Sequence, residues 1–252
     1  MVHGLWQSAA GLQTQEYRQA ILANNLANVD TPGFKPDRIT FQERLNAAQS
    51  EGATKVRHPA LQALSGGLFE SPVYTNYAQA GLETSQGPLD VAIAGDGFLT
   101  VRTSEGTRYT RDGRMLIDRN GTLLHAASGS PMVDDRGRSI LLDRNAVNKI
   151  TIDGEGNIQQ AGEIVGKLAL ADFADRNQLS KTGGNLLDAG GMRPVPADGS
   201  LKQYAIEASG VDPVSSLVEM IEATRVYQMN ATLISMQDES LSRVVNDVGR
   251  IG

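Results

Sequence analysis

The sequence predicts an α+β fold: a central antiparallel β domain carried between helical ends. Three observations predict it. Apolar residues recur at a spacing of seven near both termini. The middle of the chain alternates short apolar segments with glycine-containing turns. Finally, Asp212-Pro213 opens a stretch without proline or glycine that reaches about Val248. The chain then divides into a helix and turn over 1–35, an extended or irregular segment over 36–86, the β domain over 87–210, and a long closing helix over 211–252.

The first helix is read from about Gly4 to Asn28. Leu5, Leu12, Gln19 and Leu26 form its seven-residue line, with Ala9, Glu16 and Ala23 beside it. The line is weak, because Glu16 and Gln19 are polar and Gly11 costs about 1 kcal/mol of helix propensity. Such a helix needs a partner surface. It runs out in the peptide "ANNLANVDTPGFK", Ala23 to Lys35. There Pro32 presets one central turn position and Gly33 supplies the positive φ of the next, as a type II turn requires.

From Pro36 to Ser85 the chain is mixed and polar, and Gly66-Gly67, Pro72 and Gly87-Pro88 indicate extended or irregular backbone. Beyond Leu89, "LDVAIAGDGFLTV" alternates around Gly-Asp-Gly, which is expected to be a hairpin turn. The turn signals "SEGT", "RDGR", "RNGT", "SGSP" and "DRGR" then separate "YTR", "MLID", "TLLH" and "SILLD", and "KITID" and "NIQQA" flank "GEG". Such regularity indicates short antiparallel strands.

Asp212 and Pro213 supply an N-cap and a first helical residue, and Ser216 with Glu219 has capping-box spacing. Met220, Tyr227, Ile234, Leu241 and Val248 form one line of the closing helix; Leu217, Thr224, Ala231, Asp238 and Val245 form the second. Glu239 and Arg243 make a favourable exposed pair. A helix this long with one narrow apolar stripe fits assembly better than a compact core.

Composition narrows the function. The net charge of −6 argues against a nucleic-acid module. The absence of cysteine excludes disulfides and thiolate zinc sites. No charged n-region with an apolar h-region opens the chain, and no apolar run is long enough for a bilayer span, so these features alone indicate the cytoplasm.

Chemistry is sparse. His3, His58 and His125 are scattered and read as surface or capping residues. "GDGFLT" lacks the third glycine and the helix of a dinucleotide fingerprint. "DRNGT" and "DGEGN" lack the ligand ladder of a calcium loop. Asp90, Asp96 and Asp112 permit a paired-carboxylate hydrolase, the only enzymatic reading, but they fit turn and cap roles better. With no G-x-S-x-G elbow or thiol nucleophile, no catalytic, metal or cofactor residue is assigned.

Taken together, "ANNLANVDTPGFK", "GPLDVAIAGDGFLTVRTSEGTRYTRDGRMLIDRNGTLL" and "SGVDPVSSLVEMIEATRVYQMNATLISMQDESL" resemble, in order, three blocks of the flagellar rod and hook axial proteins. The two shortest rod proteins would lack this β domain, and the hook protein would carry larger outer domains. The mid-length rod proteins remain, the proximal type favoured over the distal one. The resemblance implies export by the flagellar type III apparatus without a cleaved signal, and assembly in the basal-body rod of the periplasm. It implies that the terminal helices pair as a coiled coil and form a hollow tube with other copies and other rod proteins. The shaft would transmit torque and conduct export substrates. Peptidoglycan or surrounding ring proteins are further partners; nucleic acid and membrane insertion are not expected.

The expected assembly interface is Leu5, Leu12, Ala23, Asn25, Leu26, Asn28, Pro32, Gly33, Phe34, Leu217, Met220, Tyr227, Ile234, Leu241 and Val248. Asn24, Asn25 and Asn28 would contact backbone or adjoining subunits, and Phe34 would anchor against a neighbour. The alternative reading is a secreted β-domain hydrolase or peptidoglycan-binding module.

Overall fold

The computed structural model describes residues 2–43, 68–70 and 73–248. They form two compact units: Met1–Ala27, Asp37–Tyr74 and Pro213–Gly252 make the first, and Asn28–Pro36 with Thr75–Asp212 the second. The architecture is α+β, with a helix near each end and antiparallel strands between them.

In the first unit, helix α1 (Val2–Ala27) packs against helix α2 (Pro213–Val248). The approach is close where a small residue allows it: a Cβ added to Gly11 would lie 3.3 Å from Asn230 Nδ2. The residues of α1 turned inward are Thr14, Leu22 and Asn25, whereas Ala9, Glu16 and Ala23 of the expected companion line are exposed. On α2, Met220, Ile234 and Leu241 of the expected first line are half-buried, whereas Tyr227 is 37% exposed.

The second line of α2 is shifted by one residue. Ser216, Ala223, Asn230 and Gln237 turn inward, Ala223 completely, while Leu217, Thr224, Ala231 and Asp238 are exposed. Apolarity favours Leu217 in a sequence count. Small and amide side chains instead let the two backbones come together, as close helix packing requires. A short antiparallel pair, Phe41–Glu43 with Leu68–Glu70, also belongs to this unit.

The second unit is built on a six-stranded sheet. Its order is Ser180–Gly183, Leu186–Asp188, Gly106–Thr110, Phe98–Thr103, Leu170–Asp172 and Val195–Pro196, all neighbours antiparallel. Period-two alternation explains why both faces are covered. Leu99, Val101 and Leu186 point into an aliphatic core with Val91, Ile93, Leu123, Met132 and Ile158. Phe98 and Leu187 point the other way, into an aromatic cluster with Tyr77, Tyr109 and Phe173. Tyr109 meets Phe173 edge-on at 4.7 Å between ring centres, a favoured aromatic geometry.

Three smaller ladders flank this sheet: Ile150–Ile152, Asn157–Gln160 and Glu163–Lys167; Val91–Ala94 with Ser200–Gln203; and Leu82–Thr84 with Ala205–Glu207. Met115–Ile117 and Leu123–His125 form a hairpin. Three turns share one construction, Asp-x-x-Gly-x, at Asp118, Asp134 and Asp153. In each, the carboxylate accepts backbone N–H bonds from the residues two and four places on. In each, the glycine is left-handed: Gly121 at φ 85°, Gly137 at 73° and Gly156 at 88°. Two of these are the loops that superficially suggest calcium; their carboxylates are spent on the turns themselves.

Two sequence expectations change. The Gly95-Asp96-Gly97 turn is a corner and not a hairpin, because Val91–Ala94 pairs with Ser200–Gln203 while Phe98–Thr103 pairs with Gly106–Thr110. Alternation marks strands but does not say which strand each one joins. "SILLD" contributes only isolated bridges, Val133 to Ser139 and Thr122 to Leu141.

Candidate functional site

The peptide Asn28–Pro36 belongs to the β unit, and its backbone explains why. Phe34 N–H donates to Thr31 O at 3.2 Å and Gly33 sits at φ 69°, so Thr31-Pro32-Gly33-Phe34 is the turn that the Pro-Gly pair demands. Gly33 lies directly on the Arg111-Asp112 backbone, where an added Cβ would meet the Arg111 carbonyl carbon at 2.5 Å.

The main chain of this peptide is claimed group by group. Asn185 Nδ2 donates to Pro32 O at 2.7 Å and Gly210 N–H to Phe34 O at 2.9 Å. Lys181 Nζ donates to Lys35 O at 2.6 Å, and Asn76 N–H to Pro36 O at 2.9 Å. Gly33 N–H in turn donates to Glu207 O at 2.8 Å. Lys181 also lies 4.5 Å above the Phe34 ring, a cation–π arrangement.

Beneath the peptide is a buried charge cluster. The Lys35 ammonium donates to Glu207 Oε1 at 2.6 Å and to Ala78 O at 2.8 Å, with both charged side chains almost fully inaccessible. Glu207 also accepts from Ala80 N–H at 2.8 Å, and its second oxygen lies 3.4 Å from Arg111 Nη1. Arg111 donates to Gly95 O and stacks 5.2 Å from the Phe98 ring centre. Burial pulls Lys35 below its ordinary range, with Glu207 offsetting part of the effect. Burial lowers Arg111 as well. Toward solvent, Arg176 bridges Asp172 at 2.6 Å and Asp96 at 3.0 Å, which raise its pKa.

In the helical unit, Asn25 grips the backbone of Asp37 twice. Its Nδ2 donates to Asp37 O at 2.8 Å, and its Oδ1 accepts from Asp37 N–H at 3.0 Å. One amide side chain thus imitates a strand pairing.

The expected interface residues separate into distinct settings. Leu12, Leu26, Met220, Ile234 and Leu241 are half-buried, Asn25 is buried, and Tyr227 sits at the margin of the inward face. Ala23 and Leu217 are exposed. Leu5 and Val248 lie on helical backbone, but their side chains fall outside the described residues, as does that of Val245. Asn28 Oδ1 accepts from the Thr31 hydroxyl at 3.2 Å. Pro32, Gly33 and Phe34 are held within the β unit. Phe34 is only 7% exposed and is covered by Lys181 of the same unit.

Of a second apolar face on α2, sequence reasoning named Leu217 and missed the rest. Val214, Leu217, Val218, Ile221, Met229, Leu233 and Met236 are between 47% and 69% exposed. At 100° per residue they fall on the side opposite Met220, Ala223 and Ile234. Their spacing of three and four was the available signal. Lys35 and Glu207 were missed too, although Glu207 alternates in register with buried Ala205, which marks an inward charge.

Of the chemistry-bearing groups, Asp112 and His125 come together in the interior, with Oδ2 3.6 Å from Nε2. Asp96 belongs to Arg176, whereas Asp112 is buried and doubly bonded to Arg114. His125 is buried and caps its own turn through Ser128, with Nδ1 2.8 Å from the hydroxyl. His3 has no described side chain and His58 lies outside the described residues. Among the described residues no group of three or more His, Asp or Glu is placed to hold a metal ion, and no helix is long and apolar enough to cross a membrane.

Comparison with known proteins bears on the same three stretches. Residues 8–35 match the family of flagella basal body rod proteins, 92–160 the D1 domain of the flagellar hook protein FlgE/F/G family, and 202–247 the C-terminal region of flagellar basal body rod FlgEFG proteins. The chain is 31% identical to the flagellar basal-body rod protein FlgG of Bacillus subtilis, over 98% of this chain and 99% of the relative. It is 32% identical to the rod protein FlgF of Caulobacter vibrioides, over 92% and 91%. The FlgG of Borreliella burgdorferi is 30% identical over 99% of this chain and all of the relative.

Proposed function

The chain belongs to the flagellar basal-body rod family of structural proteins, and on that premise we propose that it polymerises through its terminal helices into a hollow periplasmic shaft. In this reading α1 and α2 pair as a coiled coil through Leu12, Leu26, Met220, Tyr227, Ile234 and Leu241. The shaft transmits torque and conducts export substrates. The observation that carries the proposal is the outer face of α2, where Val214, Leu217, Val218, Ile221, Met229, Leu233 and Met236 stand exposed along one side of the helix. An apolar patch of this extent on a soluble subunit marks a contact surface. Head-to-tail use of such a face, with α1 of the next copy as its counterpart, generates an open helical assembly.

Passage through an export channel favours ends that unfold readily. Gln15 Oε1, Gln19 Nε2 and Gln237 Oε1 are buried without a partner in the single subunit, each at a cost of about 1–3 kcal/mol. The helical unit is therefore weak alone and gains most on incorporation. Relatives named FlgF and FlgG match at nearly equal identity, so pairwise similarity does not choose between rod types; the proximal type is the proposal drawn from the central segment.

Basal bodies from cells expressing Ile221→Asp or Leu233→Asp test the interface. We expect folded β units and subunits absent from the rod, with loss of motility. Motile cells carrying Ile221→Asp in their rods would remove the outer face from the interface. Ile234→Asp is expected to loosen α1 from α2 as well, visible as lost helicity in the isolated subunit. Strongly protected α1 and α2 amides in dilute monomer would contradict the weak-end reading.

A further inference from the structure

We propose that Thr31–Pro36 is an internal ligand of the β unit, held in a socket that Lys35, Glu207 and Arg111 lock, and that this latch opens without unfolding the β core. The inference stands on geometry within the second unit and does not depend on the rod assignment.

The first ground is how the peptide is held. Donors from four separate places, Asn76, Lys181, Asn185 and Gly210, reach the carbonyls of Pro36, Lys35, Pro32 and Phe34. Recognition of main-chain groups along a short segment is how a bound peptide is read, with side-chain pockets adding selectivity. Here the selective contact is the Lys35 ammonium, which enters a closed site and ends on Glu207 and Ala78.

The second ground is what the peptide leaves behind. No residue of 28–36 belongs to either core cluster of the β unit. With the peptide withdrawn, Glu207 keeps Ala80 N–H and Arg111, and Arg111 keeps Gly95 O and the Phe98 ring. The negative charge in the empty socket thus remains paired, so opening avoids the large cost of an isolated buried ion. Lys35, by contrast, returns to water with its hydration restored. The Lys35–Glu207 contact joins residues 172 apart, so it closes only after most of the unit is in place.

Native-state hydrogen exchange on the full chain tests this. Gly33, Asn76 and Gly210 amides report the socket, and Leu123 and Met132 amides, bonded within the core, report the unit as a whole. We expect the three socket amides to exchange at least 10-fold faster than the core pair. Lys35→Met should accelerate them a further 100-fold or so while leaving Leu123 and Met132 unchanged. Lys181→Ala with Asn185→Ala, which removes outer clamps and leaves the charge cluster, should accelerate them by a smaller factor and serves if Lys35→Met fails to fold. Socket and core amides exchanging together in every variant would overturn the latch, since the peptide would then be part of the core. Unchanged socket exchange in Lys35→Met would equally overturn it, by removing Lys35 as the lock.

Discussion

Gly121, Gly137 and Gly156 occupy the same position of the same turn, at φ 85°, 73° and 88°, so alanine at each measures surroundings against a constant backbone strain. That shared strain is about 1–2 kcal/mol for a left-handed alanine. The space differs. At Gly137 the nearest atom to a new Cβ is the tip of Arg102 at 3.4 Å, an ordinary contact that requires no displacement. At Gly156 it is Leu168 O at 3.2 Å, which must give by a few tenths of an ångström. At Gly121 it is Leu142 O at 2.6 Å, and Leu142 is itself tied to Gly121 by an N–H···O bond of 2.7 Å. Relief there requires moving a backbone that closes the turn, adding roughly 1–3 kcal/mol of overpacking. Gly137→Ala should therefore cost about 1–2 kcal/mol, Gly156→Ala somewhat more, and Gly121→Ala about 2–5 kcal/mol. Calorimetric melting of the β unit should fall by about 2–4 °C per kcal/mol, giving a clear ranking. Equal losses at the three sites, or the largest loss at Gly137, would refute the premise that neighbouring backbone, and not local strain, sets the difference.

Other expectations follow from single contacts. Burial alone would raise the Asp112 carboxyl, but His125 and Arg114 outweigh it and hold it at about 2. Because the folded pKa is depressed, the contribution of Asp112, about 2 kcal/mol, is present above about pH 4 and lost as pH falls toward 2; Asp112→Asn should flatten urea-denaturation stability across that window. Asn25→Ala removes both bonds to Asp37 and should cost about 1–3 kcal/mol. Asn25→Asp keeps the acceptor but turns the donor into a second acceptor, so it should be no better than alanine by circular dichroism melting. Ala223→Leu should disrupt α1–α2 packing, since Ala223 is fully buried between close backbones; undiminished helicity would place that contact elsewhere.

How much was legible depended on how local each feature is. Helix α2 begins at Pro213 as the Asp-Pro signal requires, and the Pro32-Gly33 turn has its expected positive φ. The "RNGT", "DRGR" and "GEG" turns also formed where their residues demanded. The inward line of α2 was half legible: Met220, Ile234 and Leu241 were found by spacing, while Ala223 and Asn230 lost to the more apolar Leu217 in a count that rewards hydrophobicity and ignores closeness of approach. The Gly95–Gly97 corner was misread because two alternating strands look alike whether they pair with each other or with distant partners.

By itself the sequence determined the helical ends, the strand-and-turn rhythm of the middle and the bend at Pro32-Gly33, because each rests on backbone preferences set within a few residues. Only the tertiary structure decided that this bend is seated on the β unit, that Phe34 is roofed by Lys181, and that Lys35 is buried against Glu207. Those facts turn on groups separated by 146 and 172 residues, and on whether a charge finds its partner once water is excluded. No local pattern carries that information; the opening peptide is distinctive because its surroundings, far along the chain, were built to hold it.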